Sequence, residues 1–585
     1  MSFITGPLSR LKYGFLPQLR VVEDLPHDKV DIATTVETVP EPTIEYRDEK
    51  GRKWYKYFDE YEYRSNKQTR SRHKWYKWFH EDDTPAERKL ILKLDVILTL
   101  YSLMAYWVKY LDQTNLNNAY VTSMPLDIGM KGNDLVNTQV MFNVGNIVFQ
   151  IPFIYLLNAA PLNYLLPAFD GLWSIVTICL YRTTNVPTLK ALRFLIGAFE
   201  SQAYYSYHFL LGSWFTVDEI SRRAMVFYFG QYLGVLTSGL LSGAIVRSLD
   251  GTNGLHSWQW IFIIDGLISL GVGFIGIYSI PGTPKSCYSI WLTDDEIRLA
   301  RRRLERNNIG SKEDDYSFKK VLDFKLWKSI FTSWEIYVLS WWNIFCWNNS
   351  NGSSGAYVLW LKSLLSSTEK NADGTPAARF TGGALQDRTA LTPGLGIVWL
   401  TIVCSFADFF HSRWGAILFS QVFNITGNAI LAAWDVPEKA KWFAWCLQYF
   451  GWAMAPVLYS WQNDICRRDQ QKRSTILVLM NAFAQTTTAF MAVIVWKTVE
   501  APRYFKGFTF TACSGGALCL WTFVVLWFYK REERKHALDN GIYLYNSSNP
   551  EDVPPVITNK DNTGDKESEK ESEKILDNEL EFDSN

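Results

Sequence analysis

The sequence is short of charge in long blocks. No Asp, Glu, Lys or Arg occurs in 135–169, 224–246, 266–284, 336–361, 389–407, 414–434, 442–463, 474–496 or 507–529. Net charge is absent too: 59 Lys+Arg balance 59 Asp+Glu, which removes any global electrostatic case for a nucleic-acid partner. Cysteine is sparse, eight in 585 residues with no pair at metal-ligand spacing, so neither a disulfide framework nor a thiolate metal site is visible. There is no Walker loop, which disfavours ATP-driven pumping, and no nucleophile–base set of a membrane enzyme. The run Gly271-Val272-Gly273-Phe274-Ile275-Gly276 matches a dinucleotide fingerprint but lies inside an apolar block rather than at a strand-to-helix turn.

A helix needs about 20 mostly apolar residues to cross a bilayer core. Eight of the uncharged blocks fit one crossing each, and 135–169 holds one crossing plus the start of another. With apolar segments that carry a few ionisable groups, the sequence predicts twelve spans: 95–118, 135–158, 162–181, 188–213, 223–247, 257–280, 334–361, 390–408, 414–434, 441–463, 474–497 and 507–529. Many begin or end in Trp or Tyr, as bilayer interfaces favour. Buried helices of a large soluble enzyme do not recur in this way, so the fold class is an all-α membrane protein. The mean hydropathy of −0.08 averages this apolar core with two polar ends.

The implied organisation is a tail 1–94, a six-helix bundle 95–284, a loop 285–333, a second six-helix bundle 334–530 and a tail 531–585. The first apolar segment begins near Asp95, so the first span, not a cleaved signal peptide, is expected to direct insertion. An even number of spans puts both tails on one side. Lys and Arg gather on that side, in 285–333, at Arg467 and Arg468, and at Lys530, Arg531, Arg534 and Lys535, which makes it cytoplasmic. A weak repeat relates the halves: Asp218-Glu219-Ile220-Ser221-Arg222-Arg223 follows span four and Asp464-Ile465-Cys466-Arg467-Arg468 follows span ten. The six-plus-six arrangement of transporters, with a central cavity between bundles, is the expectation.

Both tails have their own pattern. Residues 52–79 alternate bases with aromatics, from Arg52-Lys53-Trp54-Tyr55-Lys56-Tyr57-Phe58 to Lys74-Trp75-Tyr76-Lys77-Trp78-Phe79. Beside a first span, this suits an interfacial segment on an anionic leaflet better than a nucleic-acid site. Residues 559–585 hold ten acids and four lysines and are expected to be disordered.

Ionisable side chains inside spans are costly and are functional candidates by default. They occur only in the first half: Lys109 and Asp112 in span one, Asp170 in span three, Arg193, Glu200 and His208 in span four, and Asp265 in span six. Arg193, Gly197, Glu200, Tyr204 and His208 fall within one helical stripe, which must face a cavity or another helix. Arg presents a planar fork suited to a carboxylate, while Glu200 and His208 are residue types that can carry a proton. The functional reading is an anion-binding Arg193 beside a proton carrier. The alternative is an Arg193–Glu200 or Arg193–Asp pair that only holds helices together. Asp112, Asn115 and Asn118 share a face of span one; Lys109 is either part of the site or simply neutralised by Asp112. Asp170 and Asp265 rank lower, as helix-pairing residues. The second half offers neutral recognition groups, Asn343 and Trp347 on span seven and Gln448 and Trp452 on span ten, suited to a small, partly apolar solute.

Several motifs resemble one family. Lys93-Leu94-Asp95, Leu111-Asp112 to Asn118-Ala119, Arg193-Phe194-Leu195-Ile196-Gly197, Trp258-Gln259-Trp260 before Asp265-Gly266, and Pro281-Gly282-Thr283-Pro284 followed by Leu292-Thr293-Asp294-Asp295-Glu296 are similar to the major facilitator superfamily, in its fungal allantoate-permease group of anion:cation symporters. The resemblance covers about 45–545, and 339–348, 392–396, 450–469 and 507–514 look most like its sulfoxide-ethionine-resistance type, with vitamin permeases more distant. It implies a major facilitator fold in a fungal plasma membrane and proton-coupled import of a small organic solute by alternating access. It places the Arg193 motif in the central proton or substrate pathway; the residues themselves single out Glu200, Asp112 and His208 for proton coupling, and Arg193, Lys109, Asn115, Asn118, Tyr204, Asn343, Trp347, Gln448 and Trp452 around the solute. Asp408 to Arg413 resembles the family's cytoplasmic gating turn, with Arg467 and Arg468 as partners. No cofactor is implied beyond the proton gradient, and the expected state is a monomer in the lipid bilayer. Gln113 and Gln259 stand where the family commonly has Arg, and the turn 158–162 lacks the gating motif of the first half. The rival reading is a non-transporting nutrient sensor built on transporter architecture.

Overall fold

The computed structural model describes residues 11–12, 15–20, 22–23, 44–64, 78–79, 83–306, 324–364, 366–370, 376–378, 382–468 and 470–549. Expectations for 65–77, for part of the loop 285–333 and for the acidic end 559–585 lie outside these residues. The chain divides into two units, one of 1–35 with 77–525 and one of 36–76 with 526–585.

The first unit is helical. Span one is a single helix, Pro85–Tyr120. It starts ahead of the predicted segment because Thr84 and Glu87 form a capping box and Pro85 fits the first turn. Spans two, three, five and six are Asp134–Ala159, Leu162–Cys179, Val217–Ser248 and Ser257–Ser279. Spans eight, nine, eleven and twelve are Leu391–Phe410, Arg413–Ala433, Gln470–Val495 and Phe505–Lys535. Among the described residues, eight helices are long and apolar enough to cross a membrane uninterrupted.

The expectation of continuous helices fails in spans four, seven and ten. Span four is Val186–Glu200 followed by Ala203–Trp214, with the Ser201 hydroxyl turned back onto the Ala198 carbonyl at 2.8 Å. Span seven is Trp334–Asn348 and Ala356–Ser363 around an unwound stretch that ends at Gly355 with φ 71°. Asn, Ser and Gly dominate that stretch, and their side chains compete for the backbone that a helix would use. Span ten comes in three pieces, Glu438–Cys446, Phe450–Ala453 and Ala455–Ile465, the last beginning beside Pro456, whose nitrogen has no proton to donate.

Glycines set the closest helix approaches. A Cβ on Gly145 or Gly197 would stand 2.1 Å or 2.0 Å from a carbonyl of the other span, so spans two and four meet backbone to backbone. Gly230 and Gly234 do the same against span one, and Gly239 and Gly243 against the helix Gly382–Thr389. The charged ends on the tails' side are tied together. Asp95 accepts from Arg223 at 2.7 and 3.0 Å and from Trp78 at 2.9 Å, which gives the Lys93-Leu94-Asp95 motif its partner. Lys93 meets Glu296 at 2.8 Å on the loop helix Asp294–Arg306, which Thr293 caps. At the end of the helices opposite Asp95, one apolar cluster draws on both halves. Leu116, Leu189, Trp258 and Phe262 pack there with Tyr357, Trp360, Trp445 and Trp496.

In the second unit, strand Glu45–Asp48 pairs in parallel with Ile542–Tyr545, so the two tails share one small sheet.

Candidate functional site

Span one brings its charged residues to span four, but not in the pairing that their own spacing suggests. Lys109 and Asp112 do not neutralise each other. Lys109 Nζ lies 3.7 Å from Glu200 Oε1, and Arg193 Nη1 lies 4.0 Å from Asp112 Oδ1. Both pairs are buried, with side chains at most 9% exposed. Gln113 donates to Glu200 at 3.2 Å and Thr177 to Asp112 at 3.1 Å, while the Arg193 guanidinium also stands 5.9 Å from the Phe262 ring. Asp265 of span six is fully buried and lies within hydrogen-bonding reach of Asp112 and Asn115. Five ionisable groups from spans one, four and six therefore meet in one buried cluster: two bases and three acids.

The remaining predicted residues divide around this cluster. Asn115 and Asn118 are tied to span five through Ser238, at 2.6 and 2.7 Å. Gly197, expected on the polar stripe, faces span two instead. His208 keeps aromatic company, its ring 4.6 Å from Tyr204 and 5.1 Å from Phe227, with Nε2 buried and unpartnered. Tyr204 shares a 3.0 Å hydrogen bond with Tyr228, and the rings of both lie against Tyr459 of span ten, at 5.5 and 6.3 Å. Trp347 donates to the Tyr459 hydroxyl at 2.8 Å and meets Trp452 edge-on at 5.4 Å. An aromatic bridge thus joins spans four and five to spans seven and ten. The Asn343 amide is fully buried with neither polar atom partnered, and Gln448 has a buried, unpartnered Oε1.

Sequence reasoning missed three features, the first being the partners of Asp170, which it reads only as a helix-pairing residue. Asp170 accepts from Trp173, Gln202, Tyr207 and Tyr101 at 3.1–3.4 Å, a buried carboxylate held entirely by neutral donors. An amide ladder supports the break in span seven: Asn351 donates to Asn428, Asn428 to Asn424, and Asn424 to both Gln421 and the Asn349 carbonyl, at 2.8–3.0 Å. The Asn349 side chain above it is fully buried with both polar atoms free. The third is Asp464. Arg413 does not reach Arg467 directly; Asp464 accepts from Arg413 at 3.2 Å and from Arg467 at 3.4 Å, and so links the gating turn to the end of span ten. Its place three residues before Arg467 was the available signal. Asp408 and Arg468 lie exposed at the same ends.

A sequence profile described as Major Facilitator Superfamily matches residues 102–493. The chain belongs to the Major Facilitator Superfamily. The Vitamin H transporter of Saccharomyces cerevisiae is 40% identical over 556 residues, 92% of this chain and 91% of that one. Pantothenate transporter liz1 of Schizosaccharomyces pombe is 29% identical over 77% of this chain and 84% of its own. Among solved structures, the E. coli xylose transporter XylE, described as a proton:xylose symporter and bound to 6-bromo-6-deoxy-D-glucose, matches with a TM-score of 0.56. That match covers 73% of this chain and 95% of that one at 14% identity, a likeness of fold alone. The protein is a multi-pass membrane protein with the major facilitator fold, and its relatives are named as transporters rather than enzymes.

Proposed function

We propose that this superfamily member is a secondary active transporter that imports a small organic anion or related polar nutrient together with protons. The solute class is of allantoate, vitamin or sulfur-compound type, and the relatives named for vitamin H and pantothenate support a small organic nutrient. The finer placement among the fungal anion:cation symporters rests on the motifs around Asp112, Arg193 and Asp265, and the likeness to the sulfoxide-ethionine-resistance type rests on 339–348, 392–396, 450–469 and 507–514. The membrane is the plasma membrane, both tails are cytoplasmic, the working unit is a monomer, and the proton gradient replaces any cofactor.

The observation that carries the reading is the charge count of the buried cluster. Lys109 and Arg193 supply two positive charges against the carboxyls of Asp112, Glu200 and Asp265. A buried, water-poor cluster is least costly when neutral, and neutrality here requires one proton on the carboxyls. An anionic solute arriving at Arg193 adds a negative charge, so a further proton restores the balance. Binding of the anion and uptake of the proton are then linked by electrostatics alone. In the cycle, Glu200 or Asp112 takes a proton from outside, the solute's anionic group meets Arg193, and the bundles rock about the aromatic bridge. Proton release on the tails' side then frees the solute. On this reading the apolar cluster of Trp258, Trp360, Trp445 and Trp496 is the closed outer gate.

The test is accumulation by a Glu200→Gln variant across pH, using the solute identified by a screen of sulfur, nitrogen and vitamin sources in a deletion strain. Loss of the pH dependence with exchange retained is expected. Unchanged pH-dependent accumulation removes Glu200 from the mechanism. Binding without solute counterflow in vesicles would instead leave a sensor.

A further inference from the structure

The unit formed by the two tails holds one feature that transport does not use. Among its described residues, several acids are engaged internally. Glu62 accepts from Arg52 at 2.9 and 2.7 Å and from Lys530 at 2.5 Å, Glu45 pairs with Arg47, and Glu49 with Arg534. The run 50–58 has no acid, and Lys50, Lys53 and Lys56 are exposed and make no ion pair among the described residues. Between them the short helix Trp54–Phe58 buries none of its residues. Trp54 is 80% exposed and Tyr55 53%. A large indole left this open on a folded unit calls for a partner.

The position of this helix says what the partner is. Lys530 Nζ donates to the carbonyls of Lys56 and Tyr57, at 2.5 and 3.1 Å. Lys530 is the first charge after the uncharged block 507–529, on the helix that continues from it. The last turn of that block, Leu526-Trp527-Phe528-Tyr529, belongs to the same unit. Arg531 stands 5.6 Å from the Trp527 ring, an arrangement suited to the bilayer interface. Lys530 therefore pins the Trp54–Phe58 backbone where span twelve leaves the hydrocarbon, at the depth of lipid headgroups. Indole and phenol rings favour that depth, and the lysine stems can lie along it with their ammonium groups among phosphates.

We propose that Trp54 and Tyr55, with Lys50, Lys53 and Lys56, form a docking site for anionic phospholipid headgroups on the leaflet at the tails' side. The proposal requires only that the chain spans a membrane, and is independent of what it carries. The site clamps the joined tails to the bilayer: the rings give depth and the lysines select charge.

The test is hydrogen exchange of the full-length chain in nanodiscs of phosphatidylcholine, with and without about a third phosphatidylserine. Exchange over 52–58 should slow about fivefold or more in the anionic discs. Lys53→Glu/Lys56→Glu should abolish that difference while strands 45–48 and 542–545 stay protected. If charge reversal unfolds the tail unit, Lys53→Gln/Lys56→Gln is the gentler variant and should reduce the difference. Equal exchange in the two lipids overturns the proposal, as does full protection in detergent without lipid or a lipid difference that survives the lysine changes.

Discussion

Replacing Lys109 by Met keeps the side-chain length and removes the cation 3.7 Å from Glu200. At an effective dielectric constant near ~20 that attraction is worth about 4.5 kcal/mol. The loss is limited by what the stranded carboxyl does next. Gln113 still donates to it at 3.2 Å, and it can take a proton, which at about pH 7 costs a glutamate of ordinary acidity about 3.7 kcal/mol. The penalty on Lys109→Met is therefore about 3–4 kcal/mol near neutrality, and it shrinks by about 1.4 kcal/mol for each pH unit of acidification. Glu200→Gln alone strands the lysine instead, so its deficit should shrink as pH rises. Combining the two removes both charges and recovers most of the stability, because breaking a buried pair costs more than deleting it. Thermal unfolding of wild type, both single variants and the double variant, near neutral pH and in mild acid, measures all of this. A single variant as stable as wild type near neutrality refutes the buried pair. A double variant as unstable as Lys109→Met refutes the compensation.

Three further outcomes are expected. A methyl group at Gly197 stands 2.0 Å from the Phe142 carbonyl against 3.4 Å for an ordinary contact, so Gly197→Ala must push spans two and four apart by about 1.4 Å. Overpacking of this kind costs about 1–3 kcal/mol and lowers the melting temperature; an unchanged melt counts against the close crossing. Asp464→Asn releases Arg413 and Arg467 from their shared carboxylate, and maleimide labelling of the neighbouring buried Cys466 should quicken several-fold, whereas an unchanged rate would mean that Asp464 clasps nothing. In the tail unit, burial pulls the Glu62 carboxyl up, but hydrogen bonds from Arg52 and Lys530 outweigh it and hold the group below the usual range. A lowered carboxyl stabilises the fold above the ordinary glutamate value of about 4.3 and ceases to do so as pH falls through its lowered one. Exchange protection of 542–545 should therefore be flat from neutrality to mild acid and fall only below that value.

The crossings were legible because a missing charge is a local property, readable one residue at a time. The breaks in spans four, seven and ten were not, since hydropathy does not register where a helix loses its hydrogen bonds. Pro456 and the Asn-Ser-Gly composition of 348–355 were the signals, and both lie inside runs apolar enough to read as continuous. The charged residues were legible as a set but not as pairs. Asp112 follows Lys109 by three positions, which invites a local pair, yet span four carries Glu200 and Arg193 near enough to offer each a partner of its own. Asp265 ranked low because its motif, Trp258-Gln259-Trp260 before Asp265-Gly266, does not say which residue it meets; only the meeting of spans one and six places it beside Asp112. The ladder Gln421-Asn424-Asn428 does recur at helical spacing, but its purpose depends on Asn349 and Asn351, some 75 residues earlier.

The uneven split of charge between the halves has a mechanical consequence. Every ion pair of the central cluster lies within the first half, and the bridge to the second is made of rings and hydroxyls: Tyr204, Tyr228, Tyr459 and Trp347. An ion pair across two moving bundles would have to be broken in each cycle, at several kcal/mol once water is excluded. Stacked aromatics can slide and re-stack for far less, about 0.5–1.5 kcal/mol per pair. Arg247 and Asp387 do cross between the halves, 2.7 Å apart, but both are about half exposed, so water is at hand when they part. In the proposed cycle, charges confined to one bundle would let the protonation state of the cluster bias the rocking of the whole while the aromatic bridge resists little. This predicts that a charge pair engineered across the aromatic bridge would slow exchange more than it weakens solute binding.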